Sequence, residues 1–238
     1  MYLEYINFLH CRSALSELPD RKLFINTINA HSYNIAQKDP LFAEAITSGD
    51  VLIPDGVSIV LAVKFLKKVR IQRIAGWDLF VFEMKKLNQK GGVCFFLGSS
   101  DKVLELIRQR AAKEYPNIRI EGYSPPYKPE FTEDENRSMI DAINTANPDL
   151  LWIGMTAPKQ EKWIYLHREQ LNVHCHIGAI GAVFDFYAGT LKRAPLRWQK
   201  VGMEWLYRLI MEPRRVGKRY IIGNFLFAYY IFKEKYHL

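Results

Sequence analysis

The chain has 238 residues, of which 49% are hydrophobic and 24% charged, so it can bury one well-formed core and is not a disordered polymer. Its three cysteines are far apart and form no CxxC pair, which argues against a disulfide framework and fits a reducing compartment. The N-terminus lacks a signal-peptide pattern, and the longest apolar run, residues 221–232, is shorter than the roughly 20 residues of a spanning helix, so we expect a soluble or peripheral protein.

The formal net charge of +8 is concentrated near the C-terminus. Residues 192–220 contain nine lysines and arginines against two glutamates, a surplus of seven positive charges, while the rest of the chain is close to neutral. This asymmetry indicates a polyanionic partner at one end of the molecule: a nucleic acid, an anionic lipid or a diphosphate.

Short apolar strands alternate with amphipathic stretches, a pattern typical of an α/β protein with a mostly parallel sheet. Strands are predicted at residues 22–28, 50–53, 93–97, 117–122, 149–153 and 174–180. Helices are predicted at residues 41–47, 57–67, 77–88, 102–114 and 158–170, and after Thr132, where Glu135 completes a capping box. We expect a Rossmann-like sheet with flanking helices over residues 1–190, followed by a basic, helical C-terminal appendage over residues 191–238.

Polar clusters follow several of these strands, at the edge where open α/β sheets bind their ligands. They are Thr27 with Asn29, Asp55, and residues 98–101, 154–160 and 181–185. Asp55, between a proline and a glycine, is either a turn residue or a catalytic carboxylate. Residues 98–101 are either a helix N-cap or a phosphate-binding loop, and they do not form the GxGxxG dinucleotide fingerprint.

The sequence does not predict a metal site. His174 and His176 alternate along a predicted strand, but no third ligand has suitable spacing, which favours histidines of the core or the sheet edge. The chain also contains no Asp-x-Asp, the paired carboxylates with which many nucleotide-sugar enzymes hold a divalent cation. The surplus of arginine and lysine would supply neutralising charge instead.

The C-terminal stretch interleaves tryptophans with arginines. Trp198, Trp205, Leu206 and Leu209 fall at helical spacings. A basic amphipathic helix with tryptophans suits a membrane interface, where the rings lie at headgroup level and the cations meet phosphates. A helix packed on the body with a solvated basic face, or a nucleic-acid-binding helix, are the alternatives.

Seven strings, in chain order between about residues 22 and 220, resemble the WecG/TagA/CpsF glycosyltransferases. They are residues 27–29, 53–56, 76–79, 154–161, 184–189, 193–195 and 204–215. The most specific are Ala-Pro-Lys-Gln-Glu at 157–161 and Glu-Trp-Leu-Tyr-Arg at 204–208, followed by Glu-Pro-Arg-Arg at 212–215. The sequence departs from the family pattern at three positions near the expected donor pocket: Ala75 stands where a threonine is common, and Ser58 and Ala182 stand where glycines are common. These departures leave the reaction class intact but do not define the donor sugar.

The resemblance implies an inverting, metal-independent transferase without a cofactor, which moves an N-acetylhexosamine-type or related sugar from a UDP-sugar to an undecaprenyl-diphosphate-linked sugar. Such enzymes act in cell-surface polysaccharide biosynthesis. The resemblance also implies a peripheral protein on the cytoplasmic face of the bacterial inner membrane, in contact with the membrane surface, and allows a homo-oligomer. Nucleic acid is not among the expected partners.

The resemblance also assigns site residues. The position of Asp55 is that of the proposed catalytic base, and the position of Asp185 lies near the nucleoside. The sugar and diphosphate pocket is lined at the positions of Thr27, Asn29, Arg73 and Gln160. The basic appendage closes over the site and holds the lipid diphosphate through Arg208, Arg214, Arg215 and Arg219.

The alternative function is a non-enzymatic nucleotide- or nucleic-acid-binding module with a basic arm. It predicts salt-sensitive binding to oligonucleotides and no sugar transfer. A dinucleotide oxidoreductase is disfavoured because the glycine-rich fingerprint is absent from the sequence.

Overall fold

A computed structural model describes residues 1–200 and 202–237, apart from the side chains of Lys200, Arg215, Lys218 and Arg219. The strands are β1 (Leu23–Ile28), β2 (Val51–Pro54), β3 (Gly92–Gly98), β4 (Ile118–Tyr123), β5 (Leu150–Gly154) and β6 (His176–Ala179). They form one parallel sheet in the order β2-β1-β6-β5-β3-β4. The predicted Rossmann-like α/β fold is confirmed.

The helices before β6 connect the strands of this sheet, and the remaining four in the described residues follow the last strand. In chain order the helices are α1 (Ala30–Ala36), α2 (Pro40–Thr47), α3 (Val57–Lys67), α4 (Gly76–Lys90), α5 (Asp101–Glu114), α6 (Glu133–Ala146), α7 (Lys159–His167), α8 (Val183–Ala188), α9 (Leu196–Lys200), α10 (Glu204–Met211) and α11 (Pro213–Tyr236). Short 3-10 turns cover Leu3–Tyr5, Arg12–Glu17 and Arg168–Gln170. No helix in the described part of the chain is long and apolar enough to cross a membrane.

The predicted capping box at the start of α6 is confirmed. Thr132 Oγ1 accepts a hydrogen bond from Glu135 N at 3.3 Å, and the Glu135 carboxylate accepts one from Thr132 N at 2.7 Å. The last strand is shorter than predicted, because it begins at His176. His174 is exposed before the strand while His176 is buried in it, so the prediction that the two histidines alternate along one strand was wrong.

Side chains of the central strands alternate between two apolar layers, as the period of a strand requires. Phe96 and Trp152 pack against α4, α5 and α8 on one face. Phe95 and Leu151 pack against α6 and α7 on the other. Both layers are apolar and contain aromatic side chains, so the sheet is a well-packed support for the residues at its carboxyl edge.

The C-terminal helix contributes to a third apolar cluster. Phe227 and Ile231 of α11 are buried with Tyr33 of α1, and the Tyr33 hydroxyl donates a hydrogen bond to Glu234 Oε2 at 2.6 Å. Asn34 Nδ2 also donates to the Gly223 carbonyl at 2.7 Å. This half of α11 is therefore fastened to the first helix, and a domain boundary at residue 190 stays a prediction.

His176 is held between two acceptors at the amino end of β6. Its Nδ1 lies 3.0 Å from Glu83 Oε1, and its Nε2 lies 2.9 Å from the Pro19 carbonyl oxygen. Both ring nitrogens can donate only when the imidazole is protonated. Burial lowers the pKa of His176, but the bonds to Glu83 and Pro19 outweigh burial, so the pKa is raised above its ordinary value.

Replacing His176 with glutamine is therefore expected to cost stability in a pH-dependent way. Because the folded-state pKa of His176 lies above the unfolded value of about 6.5, the contribution is complete below that pH and is lost as pH rises through the folded-state pKa. Urea unfolding should show a loss of about 2 kcal/mol near pH 6 that shrinks towards pH 9. A loss that is the same at both pH values would contradict the charged state of His176.

Candidate functional site

Asp55 lies in the turn from β2 to α3, at the carboxyl edge of the sheet. Strands β1 and β2 pair Thr27 with Ile53 and Ile28 with Pro54, so their ends coincide. The Asp55 N–H donates to the Ile28 carbonyl at 2.9 Å, which ties the turn to the neighbouring strand. The register therefore places Asp55 beside the end of β1.

The Asp55 carboxylate is half-buried next to one guanidinium. Arg73 Nη2 lies 3.9 Å from Asp55 Oδ1, and the Gly76 N–H at the start of α4 interacts with the same carboxylate. Burial raises the pKa of Asp55 above its ordinary value; Arg73 and Gly76 oppose the rise, and the negative charge of Glu204 adds to it. A carboxylate whose pKa is raised is a stronger base than an exposed aspartate.

Glu204, the first residue of α10, connects the C-terminal segment to this group. Its Oε2 is 2.8 Å from Arg73 Nη2, and its Oε1 is 3.4 Å from Arg193 Nε. Arg193 in turn lies over the Trp77 ring at 5.2 Å. The sequence assigned no role to Glu204, and the one signal was an acidic residue within a strongly basic stretch.

The chain before α10 passes close to Asp55. Gly202 has φ +74°, and a β-carbon there would lie 2.6 Å from Val57 Cγ2 at the start of α3. Only glycine allows both this backbone conformation and this approach. The C-terminal segment and the turn that carries Asp55 are thus in direct contact.

The predicted arginines of the C-terminal segment differ in their surroundings. Arg208 lies over the ring of Phe186 on α8 at 5.6 Å, and its Nε is buried without a partner among the described atoms. Arg214 is exposed in the first turn of α11. The side chains of Arg215 and Arg219 lie outside the described residues.

Thr27 and Asn29 shape the end of β1. Thr27 Oγ1 donates to the Ala179 carbonyl of β6 at 3.4 Å. Asn29 Oδ1 accepts from the N–H groups of His31 and Ser32 at 3.0 and 3.1 Å, so it caps α1. In this structure the oxygen of Asn29 serves the backbone, and both residues lie at strand ends next to that of Asp55.

Gln160 and Glu161, in the first turn of α7, lie close to the residues that follow β5 and β6. Gln160 Oε1 accepts from Met155 N at 3.2 Å, and Gln160 Nε2 donates to Glu161 Oε1 at 2.9 Å. Both side chains are buried, and burial raises the pKa of Glu161 to about 7. A β-carbon on Gly181 would lie 3.6 Å from Gln160 Oε1. The two hydrogen bonds fix the orientation of the Gln160 amide beside the carboxyl ends of β5 and β6.

Two further polar groups, Asp185 and the loop at residues 98–101, follow β6 and β3 at the carboxyl edge of the sheet. Asp185 Oδ1 accepts from Thr190 Oγ1 at 3.2 Å, which leaves its second carboxylate oxygen for other contacts. In the loop at 98–101, Ser100 Oγ accepts from Val103 N at 3.4 Å, so it caps α5. Asp55, Arg73 and the C-terminal segment form one contact group, whereas Gln160 and Asp185 occupy the β5–β6 side of the same edge.

Comparison with known proteins yields one family and several relatives. Residues 6–238 match the "Glycosyl transferase WecG/TagA/CpsF family". A protein of Bacillus spizizenii is 31% identical over 86% of this chain and 77% of its own length, and one of Bacillus subtilis is 32% identical over 80% and 72%. One of Staphylococcus aureus is 31% identical over 90% and 81%. All three are named N-acetylglucosaminyldiphosphoundecaprenol N-acetyl-beta-D-mannosaminyltransferase.

Proposed function

Because the chain belongs to the WecG/TagA/CpsF family and is therefore a glycosyltransferase, we propose that it moves a sugar from a UDP-sugar to an undecaprenyl-diphosphate-linked sugar. The observation that carries this proposal is the group around Asp55. A half-buried carboxylate with a raised pKa lies beside Arg73, and a basic segment is packed against the same turn. That combination supplies a base and positive charge at one place.

The proposed reaction is a single displacement with inversion. Asp55 takes the proton from an acceptor hydroxyl while that oxygen forms its bond to the anomeric carbon of the donor. The bond from this carbon to the diphosphate oxygen breaks, and UDP leaves with the electron pair from the opposite face. General-base assistance of this kind is worth about 10²–10⁴-fold in rate.

Positive side chains would stabilise the charge that develops on the leaving diphosphate. Arg73 is next to Asp55, and Arg208 lies over the Phe186 ring of α8, the helix that also carries Asp185, where the nucleoside end of the donor would bind. Fixed guanidinium groups in a partly dry cleft act strongly on such charge. With these arginines and no Asp-x-Asp in the sequence, we propose that the reaction needs no metal ion.

The donor is the less defined part of the proposal. The names of the relatives suggest an N-acetylmannosamine-type sugar. Ala75 is buried at the start of α4, and Ala182 has φ −64°, a conformation that needs no glycine. These substitutions are accommodated without backbone strain, so they bear on the shape of the donor pocket and not on folding.

The test is mass spectrometry of a synthetic lipid-diphosphate-linked N-acetylglucosamine acceptor incubated with a panel of UDP-sugars. The proposal predicts an acceptor heavier by one sugar with at least one donor, also in the presence of a metal chelator. Salt-sensitive oligonucleotide binding without transfer from any donor would favour the nucleic-acid-binding alternative instead.

We also propose that the C-terminal helices bring the site to the cytoplasmic face of the membrane. One face of α11 exposes apolar side chains at helical spacing: Ile221, Phe225, Tyr229 and Phe232 are each at least half exposed. Ile210 and Met211 of α10 are similarly exposed. An uncovered apolar surface next to a basic segment matches an interface that enters anionic lipid.

Replacing Ile221 and Phe225 together with serine is expected to weaken sedimentation with anionic lipid vesicles at least about tenfold, since each buried apolar side chain is worth about 1.5–3 kcal/mol. Leu166→Ser is the matched control, because Leu166 is as exposed as Ile221 but lies on α7, which packs on α2. Unchanged vesicle binding, with a loss of self-association in solution, would instead assign this face to a homo-oligomer.

A further inference from the structure

Two carboxylates compete for one guanidinium at the site. Glu204 Oε2 and Asp55 Oδ1 both approach the same nitrogen, Arg73 Nη2, at 2.8 and 3.9 Å. The first distance is that of a charge-assisted hydrogen bond, and the second is beyond hydrogen-bonding range. Glu204 is therefore the hydrogen-bonded partner of Arg73, and Asp55 forms only a longer ion pair with it.

The Glu204 carboxylate is itself held in place. Arg193 Nε contacts its other oxygen at 3.4 Å, and the Arg193 guanidinium is fixed over the Trp77 ring. The side chains of Arg73, Arg193 and Glu204 are each less than one-fifth exposed. Partial burial strengthens these pairings, because water screens them less than it screens surface ion pairs.

We propose that Glu204 is a positioning residue, which holds Arg73 beyond hydrogen-bonding distance of Asp55 and so leaves the Asp55 carboxylate available as a base. This inference rests on the proposed role of Asp55. Since Glu204 begins α10, the effect operates only while the C-terminal segment is docked on the turn that carries Asp55.

The other charged groups near Asp55 do not replace Glu204 in this role. Asp78 also faces Asp55, but its Oδ2 accepts from Ala75 N at 2.9 Å and lies 3.1 Å from Arg12 Nη2. Its charge is thus compensated within the start of α4. The Gly76 N–H favours the ionised form of Asp55, as does Arg73. Glu204 is the charge that opposes them and that arrives with another element.

Docking of the C-terminal segment would therefore set the strength of the base. Without α10 in place, Arg73 would pair with Asp55 and lower its pKa, because an adjacent cation favours the ionised carboxylate. An open site would hold a weak base, and a closed site a strong one. This arrangement would limit proton transfer to the state in which the segment that meets the lipid diphosphate covers the cleft.

The test is the titration of Asp55 in the full-length Glu204→Gln protein. Glutamine keeps the size of the side chain but releases Arg73, which is then expected to move onto Asp55. NMR of protein labelled at the aspartate carboxyl carbons follows each carboxylate against pH, and the Asp55 signal is the one missing from Asp55→Asn. We expect Asp55 to titrate at lower pH in Glu204→Gln than in the parent protein.

Activity gives a second readout. In Glu204→Gln we expect kcat to fall about tenfold, because a weaker base accepts the proton less readily, with no weakening of donor binding because Arg73 remains. Glu105→Gln makes the same change of charge on exposed α5 and should alter neither value. Glu204→Asp keeps the charge one methylene further from Arg73 and should give an intermediate titration.

The outcomes separate the two proposals. If Asp55 titrates at the same or a higher pH in Glu204→Gln, Glu204 is only a structural tether of α10 and the inference is wrong. The NMR titration does not depend on turnover, so it decides the role of Glu204 even if no UDP-sugar supports transfer. Absence of transfer in the parent protein would instead overturn the proposed function.

Discussion

Asp55→Asn is expected to reduce kcat at least about 100-fold while the donor Kd changes little. Asparagine keeps the shape of the side chain, and the turn is held by the backbone bond from Asp55 N to the Ile28 carbonyl, which the substitution leaves intact. What is lost is the ability to accept a proton from the acceptor hydroxyl. Single-turnover transfer measures the chemical step, and calorimetric titration with the UDP-sugar measures donor binding.

The control for this prediction is Asp141→Asn, which removes the same charge from an exposed position on α6, away from the strand ends. It should transfer sugar at the parent rate. An Asp55→Asn protein that turns over within a few-fold of the parent would exclude Asp55 as the base. Weakened donor binding at unchanged kcat would mean that the carboxylate binds the donor and takes no part in proton transfer.

Arg73→Gln is expected to reduce kcat/KM about 100- to 1,000-fold, the usual effect of removing one fixed group that stabilises transition-state charge. It also removes the cation between Asp55 and Glu204 and leaves Glu204 paired with Arg193 alone, so the pKa of Asp55 should rise further. We expect the free energy of unfolding to fall by about 2 kcal/mol, because partly buried Glu204 loses the closer of its two arginines and Asp55 loses a nearby cation. Steady-state kinetics and urea unfolding measure the two effects.

Two further variants define this result. Arg119→Gln removes an arginine of similar type from exposed β4, where it pairs with Glu121, and should change neither activity nor stability. Arg73→Lys keeps the charge without the planar fork and should recover part of the lost activity. If Arg73→Gln lowers stability but retains the parent kcat/KM, Arg73 is a structural ion-pair partner only.

The fold was predictable because local signals agree with one another. Runs of apolar residues predict the strands, and a glycine, a proline or a helix-capping residue predicts where each run ends. Thr132 with Glu135 marked the start of α6, and residues 57–67 were predicted as the helix that the structure shows as α3. The final strand was predicted to begin too early, because Val173 and Cys175 are apolar and alternate with polar residues as in a strand. Both side chains are buried, but they precede the first residue of β6.

The Glu204 contacts were not predictable from local sequence. Arg73 and Glu204 are 131 positions apart, and no periodicity links them. A glutamate in a basic stretch resembles an ordinary surface counter-charge until the packing of Gly202 on Val57 brings α10 to the sheet edge. The resemblance to the family identified Asp55 and Arg73 as site residues. The 3.9 Å distance from Arg73 Nη2 to Asp55 Oδ1, and the shorter distance from the same nitrogen to Glu204, come from tertiary structure alone.

The configuration of the new glycosidic bond tests the central claim most directly, because it reports whether Asp55 acts as a base or as a nucleophile. With an α-linked UDP-sugar as donor, a carboxylate that only takes the acceptor proton yields a β-linked product in one displacement. The one-bond carbon–proton coupling at the anomeric position, measured by NMR on the purified product, distinguishes the two configurations, because it is larger for an equatorial than for an axial anomeric proton. We predict the inverted, β-linked product; an α-linked product would mean retention of configuration, by two displacements or by attack from the leaving-group face, and would contradict the role assigned to Asp55.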